Sequence, residues 1–314
     1  MAHQSNIVVG GHTVPVWAFD STAQQIDDAV AVLGAPSTPQ EALATLGAGV
    51  RPNLLDNACF VGGGTGWGVF PVNQRGQTSY TPVFNGRVMD RWAVEADADL
   101  KVTLEPDGIL LENTGSSNRQ LKQIIPSGVL SVGNQYCISA MFDLIEGRSS
   151  VAIGEAVDPY ETLGFVDLDN SGFAYKIVEP QKETEWKYIV YVYPGAKVKI
   201  KSVKLEDGSC QTLAYQDEGG NWKLLPQPDA DYATQLGKCQ RYFNQFNLNA
   251  YLSTSSFSGL YECMLQFPEM RIAPTITTIP DTGIMVELVT TKSALIRSYT
   301  QGSFITQVTL SAEL

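Results

Sequence analysis

From Asn53 onward, apolar and polar residues alternate along the chain in short runs. The clearest runs are residues 100–104, 109–111, 135–142, 186–193, 197–203 and 304–310, and turn-forming residues separate them. Alternation at a period of two places every second side chain on the same face of a strand, so that one face is buried and the other meets water. Many short strands of this kind predict a mainly β protein built around an antiparallel jelly-roll β-sandwich.

Different patterns come before these runs. Residues 7–19 place β-branched and aromatic residues on both sides of a Gly-Gly pair, which indicates a β hairpin. The next segment begins with a capping box and then carries Ile26, Val30 and Leu33 at helical spacing, and residues 38–47 predict a second short helix. Since helix nucleation is costly, helices this short need a partner for their apolar stripe.

The strand pattern stops between residues 206 and 229, where Gly, Pro, Asp and Gln are frequent, and this predicts a linker or long loop. A short helix follows, with Asp229 as its expected cap and with apolar residues at helical spacing at Tyr232, Leu236, Cys239 and Phe243. We therefore predict five segments: an N-terminal β hairpin (1–20), a short helical neck (21–50), a jelly-roll β-sandwich (51–207), a linker with a short helix (208–243) and a C-terminal β domain (244–314).

The composition excludes several classes of partner. The chain has 21 Lys+Arg against 33 Asp+Glu and a formal net charge of −12; such a surface repels a phosphate backbone, so we expect no nucleic-acid partner. No unbroken run of about 18 apolar residues and no basic and apolar leader is present, so we expect no membrane insertion. The five cysteines are odd in number and widely spaced, which predicts buried free thiols, a reducing cytoplasm during synthesis and no zinc site.

Catalytic machinery is sparse in the sequence. The two histidines, His3 and His12, both fall within or beside the predicted hairpin, so a nucleophile in the sandwich would lack a histidine base. A glycosidase needs two carboxylates. The acidic residues are numerous enough to supply them, but no signature singles out a pair. We therefore predict that the protein is not an enzyme and name no catalytic residue.

One segment matches part of a metal-binding loop. Asp167, Asp169 and Gly172 fit the first half of a calcium loop, but the twelfth position is Val178, and the expected acidic ligand, Glu179, comes one place late. This mismatch favours an ordinary turn. We predict no cofactor and name no metal ligand.

Several segments, in a fixed order, resemble one family. They are N-L-L-x-N at residues 53–57, V-N-Q-R-G at residues 72–76, D-R-W at residues 90–92, the final strands of the predicted sandwich at residues 186–209, and L-x-K-C-Q-R-Y at residues 236–242; residues 18–30 resemble a phage neck segment. This set is similar to that of tailed-bacteriophage tail-fibre and related virion proteins, whose jelly roll is similar to carbohydrate-binding modules. Jelly rolls of that type often hold a structural calcium ion, which this chain could also do.

The resemblance implies a homotrimeric fibre or spike subunit of the virion, made in the cytoplasm of a bacterial host. Its N-terminal part would attach to other virion proteins, and its β domains would face the host envelope, with a host surface glycan as the expected ligand. Three copies would pack together at Ile26, Val30 and Leu33 as a short coiled coil. The alternative is that this stripe packs on the sandwich of its own chain.

Two other functions stay open at this point. One is a capsid or collar head fibre without specific receptor binding, and the other is a glycan-cleaving tail spike. Only the last would shorten a polysaccharide.

Glycan binding points to particular side chains. Aromatic rings stack on the C–H face of a sugar, beside amide or guanidinium donors. We name as candidate ligand-binding residues Trp67, which lies among glycines, Tyr80 with nearby Arg75, and Tyr251 in the C-terminal domain. Trp92 resembles the tryptophan that is buried at the start of the family's sandwich, so we expect it in the core.

Overall fold

The computed structural model describes residues 2–9, 12–19, 50–61, 71–76, 79–80, 86–95, 99–156, 162–227, 231–254, 261–279, 285–287, 289–298 and 302–312. Within these ranges the regular secondary structure is antiparallel β sheet, apart from a single helix. The predicted mainly β fold class is therefore confirmed.

The N-terminal hairpin forms as predicted. Strand β1 (Ala2–Val9) pairs with β2 (His12–Phe19), and the register leaves a two-residue connection at the Gly-Gly pair. The predicted helical neck with Ile26, Val30 and Leu33 lies outside the described residues. The neck and the trimer therefore stay predictions.

Two six-stranded antiparallel sheets form the sandwich. In spatial order, the first sheet contains β11 (Thr162–Leu168), β10 (Ser149–Glu155), β13 (Trp186–Val192), β8 (Arg119–Ile125), β5 (Trp92–Glu95) and β4 (Arg87–Met89). The second sheet contains β12 (Phe173–Val178), β9 (Tyr136–Glu146), β14 (Lys197–Asp207), β7 (Gly108–Asn113), β6 (Leu100–Glu105) and β3 (Ser79–Tyr80). From β8 to β14 the chain crosses repeatedly between the two sheets, as in a jelly roll.

The sandwich core lies between these sheets and is rich in aromatic rings. Trp92, Trp186, Tyr188 and Phe60 are among its largest fully buried side chains. The ring of Trp92 meets Phe60 edge-on at 5.5 Å and Tyr188 at 6.3 Å between centroids. Burying one such side chain stabilises the fold by about 1.5–3 kcal/mol. The prediction that Trp92 belongs to the core is confirmed.

Strand β14 shows both faces of the second sheet. The predicted alternation holds for Lys197, Lys199 and Lys201, which are half-buried and alternate with fully buried apolar residues. A register shift follows, and beyond it the residues of both faces are buried, including Lys204 and Glu206. Part of the cover comes from the segment before the sandwich strands, which runs beside β14 and forms backbone hydrogen bonds with it, such as Leu54 N to Leu205 O at 2.8 Å and Phe60 N to Lys201 O at 2.9 Å.

The stretch predicted as a linker contains a β hairpin instead. Strands β15 (Ala214–Gln216) and β16 (Trp222–Leu224) pair around a turn in which Asp217 Oδ1 accepts the backbone N–H groups of Gly219 and Asn221. The hairpin packs on the outer face of the second sheet, where the Trp222 ring lies 4.2 Å from that of Phe173. The prediction was wrong here because the turn residues are frequent and each strand is only three residues long, too short to show a period.

Helix α1 (Tyr232–Gln240) connects the hairpin to the last sheet. Its N-cap is Asp231, whose Oδ1 accepts the N–H of Thr234 at 2.8 Å. The predicted cap, Asp229, lies outside the described residues, and Phe243, predicted within the helix, begins the next strand.

The C-terminal sheet also has six strands. In spatial order they are β19 (Thr275–Ile279), β22 (Gly302–Ser311), β17 (Phe243–Thr254), β18 (Tyr261–Gln266), β21 (Ser293–Ser298) and β20 (Met285–Glu287). Its core is smaller than that of the sandwich and centres on Ile296, Val308 and Leu310.

All five cysteines are free thiols. Cys137 and Cys239 are buried and Cys59 and Cys263 are half-buried, but Cys210 is exposed, which corrects the prediction that all are buried. Within the described residues, no helix is both long and apolar enough to cross a membrane.

Candidate functional site

A row of polar and aromatic side chains crosses three strands of the first sheet. Ser150 of β10 lies opposite Tyr191 of β13, and Tyr191 lies opposite Gln120 of β8. Because alternate residues of a strand point to opposite faces, these three side chains lie on the outer face of the sheet. The residues next to them in sequence, which point into the core, are Val151, Val190 and Leu121.

The adjacent row on the same face begins with Phe165 of β11 and ends with Lys122 of β8. Between them lie Ala152 and Ile189, both fully buried. Small and aliphatic residues thus form a floor, with a ring on one side and an ammonium group on the other. We call the five side chains that surround this floor the platform: Gln120, Lys122, Ser150, Phe165 and Tyr191.

The platform combines the groups that bind sugars. The rings of Phe165 and Tyr191 belong to half-buried residues, and an aromatic face can stack on the C–H groups of a pyranose. Gln120 carries an amide, Ser150 a hydroxyl and Lys122 an ammonium group, which can exchange hydrogen bonds with sugar hydroxyls. An apolar surface with a few convergent polar groups is typical of a small-molecule site.

Two platform groups lack a hydrogen bond from the chain itself. The side-chain oxygens of Gln120 and Ser150 are buried and have no hydrogen-bond partner within the described part of the chain. Leaving such an atom unsatisfied costs about 1–3 kcal/mol, so a bound water or a ligand hydroxyl is the usual partner. Both residues lie opposite Tyr191, one on each neighbouring strand. The two unsatisfied oxygens are therefore on either side of the same ring.

A charged pair lies at the end of this surface. The guanidinium group of Arg148 binds the carboxylate of Asp167, with Nη2 at 3.0 Å from Oδ1 and 3.2 Å from Oδ2. The same guanidinium carbon lies 4.6 Å from the ring centroid of Tyr193 and 6.0 Å from that of Phe165. It therefore extends the aromatic surface with exposed donors.

The segment that matches half a calcium loop is a turn between β11 and β12. Asp167 is paired with Arg148, and Asp169 Oδ1 accepts the backbone N–H of Ser171 at 2.8 Å. Hydrogen bonds from Ser171 lower the pKa of Asp169, and Gly172 closes the turn with a φ of +78°. Within the described ranges, no group of three or more His, Cys, Asp or Glu side chains is placed to hold a metal ion.

The segments that carry the family resemblance meet at a different place. Asn57 Nδ2 donates to Val72 O at 2.8 Å and to Asp90 O at 2.9 Å, and the N–H of Asn57 donates to Gln235 Oε1 at 2.7 Å. The indole N–H of Trp92 donates to the carbonyl of Asn57 at 2.8 Å. Residues from three other segments are thus held by one buried asparagine, and we call this region the junction.

Arg75 belongs to the junction as well. Its Nη1 lies 2.8 Å from Asp90 Oδ1, and its guanidinium carbon lies 3.8 Å from the ring centroid of Phe243. Gln74 binds the same carboxylate and also donates to the carbonyl of Phe243 at 2.8 Å. These contacts join the sandwich to the first strand of the C-terminal sheet, so Arg75 has a structural role, and its predicted contact with a ligand stays a prediction.

The structure does not bring the other predicted ligand-binding residues together. Tyr80 lies in β3 of the second sheet, where it pairs with Val102, and Tyr251 lies in β17 of the C-terminal sheet, where it pairs with Ser303. Trp67 lies outside the described residues. These candidates also stay predictions.

Sequence reasoning missed the platform, although part of its signal was present. Residues 186–193 were predicted to be a strand, and once Trp186 and Tyr188 are in the core, Tyr191 must face outward. The register that places Ser150 and Gln120 on either side of Tyr191 joins strands far apart in sequence. No local pattern encodes that register.

No protein-family profile and no curated protein matches the chain. Solved structures similar to it include the C-terminal family 22 carbohydrate-binding module of Clostridium thermocellum Xyn10B, at 15% identity over 41% of this chain and 91% of that chain, with a TM-score of 0.31. The N-terminal cellulose-binding domain of Cellulomonas fimi β-1,4-glucanase C gives 11% identity over 41% of this chain and 100% of that chain, with a TM-score of 0.29.

A third similar structure is the enzymatically active domain of bacteriophage CBA120 tailspike protein 4. It gives 9% identity and a TM-score of 0.30 over 50% of this chain and 21% of that chain. All three scores are too low to assign a function. The geometry of the chain itself has to support any functional proposal.

Proposed function

We propose that this protein binds a carbohydrate on the platform of the first sheet. The observation that supports the proposal most strongly is the row Ser150, Tyr191 and Gln120, in which two buried oxygens without partners from the described chain flank an aromatic ring. A sugar ring stacked on Tyr191 would offer hydroxyls to both oxygens, while Lys122 and Ser150 would add donors. This arrangement binds without cleaving a bond, and we propose no catalytic activity.

Affinity electrophoresis in gels that contain one polysaccharide each tests the proposal. We expect a neutral or acidic polysaccharide to retard the wild-type chain, and we expect Tyr191→Ala to lose about 10-fold or more in affinity, because a stacked aromatic is a typical binding hot spot. The matched control is Tyr175→Ala, since Tyr175 is 52% exposed on the other sheet. Equal loss in both variants, or no retardation of the wild type by any polymer, would contradict the proposal.

We also propose the wider role that the family resemblance implies: a trimeric fibre subunit of a tailed-phage virion. Three weak sites on one fibre, and many fibres on one particle, gain avidity from linkage without any strong single site. The convergence of the resembling segments at the junction supports the resemblance, since segments that meet in space constrain one another. The alternatives are a head fibre that binds no receptor and a glycan-cleaving spike.

Two measurements separate these roles. The mass in solution should be about three times the chain mass of 34.1 kDa, and the double change of Ile26 and Val30 to Asp should dissociate the trimer; a wild-type monomer would contradict the fibre. Incubation with a retained polysaccharide should leave its length unchanged. Shortening of the polymer would favour the spike, and a trimer that binds no glycan would favour the head fibre.

A further inference from the structure

A cavity of about 210 Å³ lies beside the junction, between the end of strand β8 and the end of helix α1. At about 30 Å³ per water it has room for roughly seven waters. This volume is below the 300–1,000 Å³ or so of sites for larger ligands, so its occupant is about the size of one sugar ring. The lining residues are Leu54, Asp56, Arg91, Gln123, Ile124, Ile125, Pro126, Val129, Lys238, Arg241 and Tyr242.

The polar wall of this cavity carries more positive than negative charge. It contains two arginines and a lysine against one carboxylate, in a chain with a formal net charge of −12. The carboxylate is Asp56, and it is already bound to Arg91, whose Nε lies 3.1 Å from its Oδ2. Arg91 also donates from Nη2 to the carbonyl of Ile124 at 3.0 Å. Its charge is thus compensated, whereas that of Arg241 is not.

Arg241 is the group best placed to bind an anion. It follows the last turn of α1, its side chain belongs to an exposed residue, and within the described residues its guanidinium makes no hydrogen bond or ion pair. Its backbone is fixed, because its N–H donates to Lys238 O and its carbonyl accepts the N–H of Arg271 at 2.8 Å. The guanidinium group of Arg241 therefore offers five N–H donors at the rim of the cavity, on a backbone that is held in place.

The ring of Tyr242 lies against two guanidinium groups, that of Arg91 in the same wall and that of one further cation, Arg271. The guanidinium carbon of Arg91 lies 3.5 Å from the Tyr242 ring centroid, and that of Arg271 lies 5.8 Å from it. Arg271 Nε is buried and makes no hydrogen bond with the described chain. Asp56 compensates the charge of Arg91, so Arg271 is the cation that adds positive potential beside Arg241. Leu54, Pro126 and Val129 supply an apolar wall of the same cavity.

The geometry points to a second binding site in this cavity, for the carboxylate of an acidic monosaccharide. The carboxylate binds Arg241, in a field strengthened by the neighbouring cations, and the apolar face of the sugar ring lies against the apolar wall. The inference rests on the proposed glycan binding only for the class of ligand, because the cavity shares no residue with the platform. It predicts that acidic glycans bind with higher affinity than neutral ones.

An NMR titration of the full chain at low salt tests the inference, with glucuronate, glucose and inorganic phosphate as separate probes. We expect glucuronate to bind, glucose to bind at least 10-fold more weakly, and Arg241→Gln to lose about 10-fold or more in glucuronate affinity, since a charge-assisted hydrogen bond is removed. Lys292→Gln is the matched control, because Lys292 is 63% exposed and paired with Glu269. Its affinity should equal that of the wild type.

The other outcomes are decisive as well. No binding of glucuronate, or equal binding by Arg241→Gln, would overturn the inference. Phosphate that binds as tightly as glucuronate would show a general anion site and would overturn the assignment to a sugar. Loss of glucuronate binding in Tyr191→Ala but not in Arg241→Gln would place the acid on the platform, which overturns this inference while supporting the proposed function.

Discussion

The two outer faces of the sandwich differ in how their polar groups are paired. On the second sheet the charged groups pair within the chain: Lys199 binds Glu105 at 2.8 Å and Asp107 at 2.9 Å, and Lys201 binds Asp143 at 2.7 Å. Both sheets carry buried side-chain oxygens without a partner within the described chain, two on the platform of the first sheet (Gln120 Oε1 and Ser150 Oγ) and Ser139 Oγ on the second. A face whose charges are already paired has little to offer a ligand. The platform is better suited to binding, because its two unsatisfied oxygens lie on either side of one aromatic ring.

At the covered end of the second face even fully buried charged groups are paired within the chain. Lys204 and Glu206 are fully buried, with Lys204 Nζ at 3.4 Å from Glu206 Oε2. Lys204 also donates to Thr212 Oγ1 at 2.8 Å and to Gln227 Oε1 at 2.7 Å. All the added partners come from the region predicted as a linker, so that region completes the sandwich.

The largest expected effect comes from breaking this buried cluster. Lys204→Ala leaves the carboxylate of Glu206 buried without its cation, and we expect the free energy of unfolding to fall by about 3–5 kcal/mol. Urea denaturation measures it. Lys292→Ala, which breaks an exposed pair, should change stability by no more than about 1 kcal/mol. Similar losses in the two variants would mean that the covered face does not depend on its own ion pair.

A smaller effect is expected where the hairpin meets the second sheet. Trp222→Ala removes a half-buried ring that stacks on Phe173, so we expect a loss of about 1–3 kcal/mol, less than for a fully buried tryptophan. Tyr175→Ala on the same face should cost much less, because Tyr175 is 52% exposed. Equal stability of Trp222→Ala and the wild type would show that the hairpin does not hold the face closed.

On the first sheet, removing a buried polar group should not lower the free energy of unfolding. Ser150→Ala removes a buried hydroxyl that has no partner in the described chain, so stability should stay within about 0.5 kcal/mol of the wild type or rise, since no hydrogen bond is lost and an unsatisfied group disappears. Glycan affinity should fall in the same variant. A loss of more than about 2 kcal/mol in urea denaturation would mean that the hydroxyl serves the fold.

Thiol reactivity tests whether the outer face of the second sheet is covered, and it needs no mutation. Cys137 lies on that face, and burial raises its pKa to about 12, so it stays protonated and unreactive at pH 8. Cys210 is exposed. A thiol reagent at pH 8 should modify Cys210 quickly and Cys137 only after unfolding, as read by peptide mass spectrometry. Rapid labelling of Cys137 would show that the cover opens readily.

The sequence predicted the elements of the sandwich better than its surfaces. Alternation located the strands that include Tyr188 and Ile200, because a face buried against a core selects apolar residues at every second position. It missed the hairpin around Asp217, whose strands are too short for a period. The turn residues there predicted a linker, although they form the turn of the hairpin between β15 and β16.

The candidate site was harder to predict for a different physical reason. Trp67, Arg75, Tyr80 and Tyr251 are aromatic and basic residues in favourable local settings. A platform, however, depends on register between distant strands. Arg75 shows the limit most clearly, because its partners Asp90 and Phe243 are 15 and 168 residues away in sequence. Only the fold decides whether such a side chain meets its own chain or a ligand.

The most direct test of the central claim is a crystal structure of the chain with an oligosaccharide that retards it in affinity electrophoresis. We predict a sugar ring stacked on Tyr191, with hydroxyls within hydrogen-bond distance of Gln120 Oε1 and Ser150 Oγ. A sugar bound on the outer face of the second sheet or on the C-terminal sheet, with the platform empty, would contradict the account.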